Sequence, residues 1–377
     1  MEVINFLENK MLSGGREAFV ANACMGMKEN GIKYIVLVNW RTENIYEGQI
    51  KRNGGEIVYL KPKKTDYLRR FWTFSQYARR HRYAIWWFHV CATSMYHYVF
   101  LARICGAKKI VYHVHNISYT KPQSKAANLR DRLLNWVFRR IPKERVACSE
   151  QAGRSLFKKD SFTVVHNGIE AERFHFNQKR RNLIRKKWKM GERFVIGQVG
   201  RLAFPKNQIF TLSVIRACID RGISCEGVLV GEGEDRKEID KYILQQGLSN
   251  YIRIVPSSES VEYFYQGFDL LMFPSLYEGL GIVALEAQAS GLPVLCSQSI
   301  PSAVCVTDHI WKLDLNNMEA WVEKIEELQS TERDREGLSK SGVAACANAG
   351  FSIERTRSEL LDLYRILENV TDGEMIC

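Results

Sequence analysis

Two carboxylates, Glu278 and Glu286, stand in a Glu-x7-Glu spacing inside a stretch dense in glycine, Leu270–Ser297, which reads LLMFPSLYEGLGIVALEAQASGLPVLCS. The turn Tyr277-Glu278-Gly279-Leu280-Gly281 leads into Ile282–Ala289, whose apolar residues recur at helical spacing. The first N–H groups of a helix have no acceptor within it, so a glycine turn of this kind offers backbone donors to an anion. A carboxylate repels phosphate but accepts hydrogen bonds from hydroxyls. The combination therefore suits a ligand with phosphates in its middle and a sugar at each end. Either Glu alone would be an ordinary solvated side chain, but the pair in this setting is not. Two cations belong with them: Arg201 and Lys206 lie around one loop after a strand ending in Gly200, where both can reach a single diphosphate.

Histidine supplies a third chemistry. His113 and His115 alternate along a strand and so share a face, and His115 lies at the C-terminal end, the edge where open parallel sheets bind ligands. His115 is chosen as the functional one, with His89 and His113 as alternatives. Three histidines raise the question of a metal, but no Asp or Glu lies nearby and no ligand spacing is recognisable, so none is expected.

The elements that must position these residues are βαβ units. Leu270–Phe273 is an apolar run short enough for a strand buried on both faces, and Gly291 and Pro293 stop the following helix before a strand at Val294-Leu295-Cys296. Further strands are expected at Ile35–Val38, Ala84–Val90, Ile110–Asn116, Phe194–Leu202, Gly227–Val230 and Ile252–Val255, with helices over Met95–Cys105 and Glu354–Leu367. The N-terminal residues read as a weak strand, but Leu12–Phe19 places two glycines, Gly14 and Gly15, just before a helical pattern, which allows a ligand close to the backbone. The uncharged stretch Tyr83–Ala102 divides into a strand and a helix and carries His89, Thr93, Ser94 and His97, so it is not a membrane span.

A chain of 377 residues is long enough for two domains, and its charge divides accordingly. Residues 1–189 carry 37 Lys and Arg against 14 Asp and Glu, a net +23, and the remainder carries a net −11. A basic half fits nucleic acid, an anionic membrane surface or a diphosphate substrate. Lys61–Arg82 mixes arginine pairs with an aromatic stripe, fitting either a helix on a membrane surface or a domain helix with its arginines in water. Lys179–Lys189 reads as a second basic helix near the interdomain linker. The ten cysteines are scattered with no CxxC pair, which predicts free thiols in a reducing cytoplasm, and the N-terminus has no secretory pattern.

The Glu-x7-Glu motif with Gly279, Gly281, Gly291 and Pro293, the strand-Gly-Arg-x4-Lys-Asn pattern at Arg201–Asn207, the Val164–Ile169 segment and the position of His115 resemble the large retaining GT-B glycosyltransferase family, glycosyltransferase family 4 or "glycosyl transferases group 1", of the bacterial polysaccharide type. The resemblance implies an α/β fold with two Rossmann-like domains facing a cleft. An acceptor-side domain would span residues 1–175 and a donor domain 176–350, with a terminal helix within 351–377 crossing back. It implies transfer of a hexosyl unit from a UDP- or GDP-sugar. Arg201, Lys206 and the Gly279, Leu280 and Gly281 amides would hold the diphosphate. Glu286 would hold the ribose and Glu278 the sugar hydroxyls. His115 would face the sugar from the opposite wall, Gly15 would face the diphosphate and acceptor, and the backbone at Val255 would hold the base. The customary glycine after that last strand is missing here, which leaves the nucleotide open. No metal or other cofactor is implied. The expected acceptor is a glycan, carried on a lipid diphosphate, with the protein cytoplasmic and peripheral on an anionic membrane. A nucleotide-sugar epimerase or phosphorylase of like architecture is the rival enzyme. A basic nucleic-acid-binding protein is the rival of another class, against which stand the spread of the basic residues and the lack of any binding motif.

Overall fold

The computed structural model describes residues 1–8, 11, 14–41, 45–60, 67–90, 95–116, 141–142, 144–256 and 260–369. The chain divides into two compact units, one of residues 1–168 and 353–377, the other of residues 169–352. The boundaries expected from the sequence are 175/176 and 350/351.

The first unit is built on a parallel sheet of β1 (Glu2–Leu7), β2 (Lys33–Val38), β3 (Glu56–Tyr59), β4 (Ile85–Val90), β5 (Ile110–Val114), β6 (Glu144–Ala147) and β7 (Thr163–Val164). Their order across the sheet is β3-β2-β1-β4-β5-β6-β7. The N-terminal residues are thus a central strand and not a weak one: β1 pairs with both β2 and β4. Val3, Ile4, Phe6 and Leu7 are fully buried, as a strand covered on both faces must be. The helix Ile353–Asn369 returns to this unit, burying Leu360, Tyr364 and Leu367 in the core with Val3, Val36 and Trp87. The Tyr364 ring meets Trp87 edge-on at 5.2 Å.

The second unit repeats the design with β8 (Phe194–Val199), β9 (Cys225–Val230), β10 (Ile252–Val255), β11 (Leu270–Phe273), β12 (Val294–Ser297) and β13 (Ile310–Leu313), in the order β10-β9-β8-β11-β12-β13. Every pairing is parallel. In each unit the order reverses beside the first strand, between β1 and β4 and between β8 and β11, and such a reversal opens a crevice at the strands' carboxyl ends.

Both basic segments form helices, with one departure from expectation at Arg70. The described part of Lys61–Arg82 is a helix, Tyr67–Arg80, which buries Phe74 and Ala78, and Arg70 is not in water but buried, its guanidinium 5.6 Å from the Phe71 ring and 5.8 Å from that of Tyr98. The helix Gln178–Lys187 belongs to the second unit, where Arg181 and Arg185 both bind Asp269, at 2.5 and 3.0 Å. Among the described residues no helix is long and apolar enough to cross a membrane.

Candidate active site

In the second unit the expected residues gather at the β8/β11 reversal. Gly200 follows the end of β8, and the loop beyond it lies against the loop after β9 so closely that a Cβ on Gly233 would fall 2.1 Å from the Leu202 carbonyl oxygen. The loop then forms a short turn, Phe204–Lys206, and Asn207, at φ 52°, starts the helix Gln208–Asp220. Two bonds tie this turn to the segment after β11: Leu276 N–H donates to the Pro205 carbonyl at 2.8 Å and the Asn207 side chain to that of Pro274 at 3.3 Å. These ties place Lys206 Nζ 2.5 Å from a Glu278 carboxylate oxygen and 5.6 Å from the centre of the Phe273 ring. Gly281, at φ 93°, begins the helix Ile282–Ala289, and a Cβ there would touch Phe273 at 3.1 Å. A cation, a carboxylate and a helix N-terminus therefore meet at one strand edge, with an aromatic ring beneath. Leu280, between the two glycines, is buried.

Arg201 does not join Lys206 on one carboxylate. Its Nε is 2.9 Å from Glu234, and that pair is about half exposed, at 47% and 41%. Glu286 is partly buried and accepts a 2.6 Å hydrogen bond from the Tyr265 hydroxyl. Burial pushes its carboxyl up from 4.5 to about 7, against the Tyr265 bond and the positive charges of Arg173 and Lys206, which favour ionisation. Glu262, which holds Arg173 at 2.9 Å, adds to the upward push. Tyr265, Arg173 and Glu262 carry no motif, and only their fold neighbourhood reveals that they set the state of Glu286. Val255 closes β10, its carbonyl accepting from Gly231 N–H at 2.8 Å. Ser257, beyond it, lies outside the described residues.

In the first unit Gly15 opens the helix Gly15–Ala23, and Leu12 and Ser13 before it lie outside the described residues. His115 follows β5, buried, and His89 joins the pair that alternation along the strand put on one face. One ring nitrogen from each lies within 4.8 Å of the other two. His89 Nδ1 is 2.9 Å from His115 Nε2, and His89 Nε2 is 2.9 Å from Asn5 Oδ1. Trp87 Nε1–H donates to His113 Nδ1 at 3.2 Å. Burial holds all three rings below the usual histidine range, His113 at about 3, and keeps them neutral near pH 7. Nε2 must then carry the proton on His113, since Nδ1 accepts from Trp87. A metal on that nitrogen would need it bare, and it has no hydrogen-bond partner among the described residues.

Comparison with known proteins matches residues 179–344 to the family described as Glycosyl transferases group 1 and residues 13–173 to Glycosyltransferase Family 4. A putative glycosyltransferase EpsF of Bacillus subtilis is 29% identical over 94% of each chain. The capsular polysaccharide biosynthesis glycosyltransferase CapM of Staphylococcus aureus is 26% identical over 58% of this chain and 59% of its own. A UDP-Gal:α-D-GlcNAc-diphosphoundecaprenol α-1,3-galactosyltransferase of Escherichia coli is 22% identical over 70% of both. Among solved structures, Anabaena HepE in complex with UDP and glucose has a TM-score of 0.78 at 16% identity, covering 96% of this chain and 99% of its own.

Proposed function

The chain is a glycosyltransferase of GT-B fold, its two parts belonging to glycosyltransferase family 4 and glycosyl transferases group 1, and from that premise we propose that it transfers a hexosyl unit, with retention of configuration, from a nucleotide diphosphate sugar to a glycan on a lipid diphosphate. The product belongs to a cell-surface polysaccharide. CapM's role in capsule synthesis supports the pathway, the galactosyltransferase's diphosphoundecaprenol acceptor supports the lipid carrier, and the UDP and glucose bound by HepE support the donor class.

The observation that carries the reading is the meeting of Lys206, Glu278 and the Gly281 helix start at the β8/β11 reversal. In the reaction the bond from C1 of the sugar to the β-phosphate oxygen breaks, and its electron pair leaves with the diphosphate. The acceptor oxygen bonds to C1 on the same face, and its proton passes to the departing phosphate oxygen. Negative charge thus grows on the diphosphate as positive charge grows on the ring, so preorganised donors at the phosphate lower the barrier. Lys206 and the Gly279–Gly281 amides supply those donors. Arg201 joins them by exchanging Glu234 for phosphate. Glu278 accepts from the sugar hydroxyls, Glu286 from the ribose, and His115 from the transferred sugar, with Gly15 and Val255 lining the ligand by backbone.

The test is incubation with a panel of UDP- and GDP-sugars and lipid diphosphate-linked acceptors, read by mass spectrometry and by the anomeric NMR coupling of the product. One donor is expected to give an acceptor-dependent product of retained configuration, with turnover falling roughly 100- to 1,000-fold in Lys206→Ala. Product formed without acceptor would show an epimerase, release of sugar phosphate a phosphorylase, and an inverted product would end the retaining reading.

A further inference from the structure

The cluster around His115 does more than bury three rings. Asn5 sits on β1, His89 on β4 and His115 just after β5, so three strand edges deliver one hydrogen-bonded row. The direction of that row is fixed from its far end. Asn5 Nδ2 donates to the Ile35 carbonyl at 3.4 Å, and a carbonyl can only accept, so Asn5 turns its Oδ1 toward His89. His89 must then donate from Nε2, and because its ring is neutral its Nδ1 is bare. That bare nitrogen accepts from His115, which places the His115 proton on Nε2. His115 Nδ1 is left as a lone pair, buried and without a hydrogen-bond partner among the described residues. A buried acceptor left unpaired costs about 1–3 kcal/mol, so a group that persists in this state marks a place for an incoming donor.

We propose that Asn5 and His89 are positioning residues that lock His115 in its Nε2–H tautomer, so that Nδ1 is an acceptor reserved for a substrate hydroxyl. The identity of that hydroxyl as one on the transferred sugar rests on the function proposed above, whereas the tautomer lock does not. The opposite tautomer would point an N–H at the same hydroxyl. The hydroxyl could still turn to accept, but it would lose the ability to donate there, and the geometry of the bound sugar would change with it. Phe19 packs against all three rings, with centroids 4.9 to 5.8 Å away, and keeps the row from rotating out of line.

Histidine ring nitrogens are distinguished by their 15N shifts, and the chain has only eight histidines to assign. In the full-length protein at neutral pH, His115 is expected as a single Nε2–H tautomer. In His89→Phe the lock is gone, and a mixture or the Nδ1–H form is expected. Asn5→Leu should loosen it in the same way. Turnover should fall roughly 10- to 100-fold in His89→Phe and Asn5→Leu, as for outer partners that orient histidines elsewhere. Nucleoside diphosphate affinity should not change in any of them. An Nδ1–H His115 in the wild type, or one indifferent to both substitutions, would overturn the proposal. So would zinc shifting the ring nitrogens of all three histidines together in a stoichiometric titration. A correct tautomer with unaffected turnover would instead refute the sugar-facing role of His115 and leave the lock standing as a structural device without catalytic consequence, against the proposal.

Discussion

At the scale of single residues, Glu286 is the group whose state most depends on its surroundings. Its carboxyl is raised to about 7 by burial, so near neutral pH it is divided between a form that can accept twice from ribose hydroxyls and a form that accepts less well. Donor affinity should therefore rise as pH rises through 7. Stability runs the other way. An acid whose pKa is higher in the folded than in the unfolded state binds more protons when folded, so between 4.5 and 7 the fold loses stability with rising pH, and above 7 the loss is complete. Glu286→Gln keeps an oxygen for the Tyr265 hydroxyl but never ionises. It should weaken donor binding roughly 10- to 100-fold, the scale of a lost charge-assisted hydrogen bond. It should also melt higher than wild type above pH 7, with the difference closing toward pH 4.5. Calorimetry with UDP and thermal melts over that range read both effects, and a variant less stable than wild type at pH 8 would contradict the account of Glu286.

At the scale of elements, the site helix Ile282–Ala289 is held from behind by the helix Arg335–Asn348. They cross at Gly342, where a Cβ would lie 2.0 Å from the Gln288 carbonyl oxygen. Gly342→Ala must push the helices apart, at about 1–3 kcal/mol of stability for overpacking of this kind, and shift Glu286 with them. Gly191→Ala, where a Cβ meets nothing within 4 Å, is the matched control and should melt like wild type. Equal melting of the two variants would show that the crossing gives way freely. The sequence made the strands and the glycine turn legible because buried parallel strands are short apolar runs and because only glycine suits Gly281. Lys206 and Glu278 were legible as chemistry but not as partners, since 72 residues separate them and only the ties from Pro205 and Asn207 bring them together. Asn5 and Tyr265 were not legible at all: each lies in an apolar run with no motif, and its importance comes from the strand or helix packed beside it. The N-terminal strand reads as weak for a related reason. Glu2 and Asn5 break its apolar run, whose central place only the pairing with β2 and β4 reveals.

At the scale of the whole molecule, the more basic unit also exposes large apolar side chains on two packed helices. With the structural boundaries the first unit carries +14 and the second −2, because the basic helix Gln178–Lys187 lies in the latter. The helix Tyr67–Arg80 packs on the helix Tyr96–Ile104 through Phe71, Phe74 and Tyr98. Both helices expose large apolar side chains: Leu68 is 83% and Trp72 63% exposed on the first, and Phe100 and Ile104 are exposed on the second. Arg69, Arg79, Arg80 and Arg103 are exposed on the same two helices. An apolar fringe among cations suits the headgroup region of an anionic membrane, where each basic residue contributes about 1 kcal/mol and aromatic residues insert shallowly. A lipid diphosphate acceptor would be met at such a surface. Attachment of this kind is screened over a Debye length of about 8 Å at physiological ionic strength, so it must weaken with salt. The protein is expected to co-sediment with vesicles containing phosphatidylserine at low salt, to be released by high salt, and to ignore neutral vesicles. Trp72→Ser should weaken binding at every salt concentration, and a triple Arg69/Arg79/Arg80→Glu variant should abolish it. Arg70 is left intact because it is buried among the Phe71 and Tyr98 rings, and its loss would confuse unfolding with release. Wild type and triple variant remaining together in the supernatant at low salt would mean that the positive charge of this unit serves solubility or the diphosphate substrates alone.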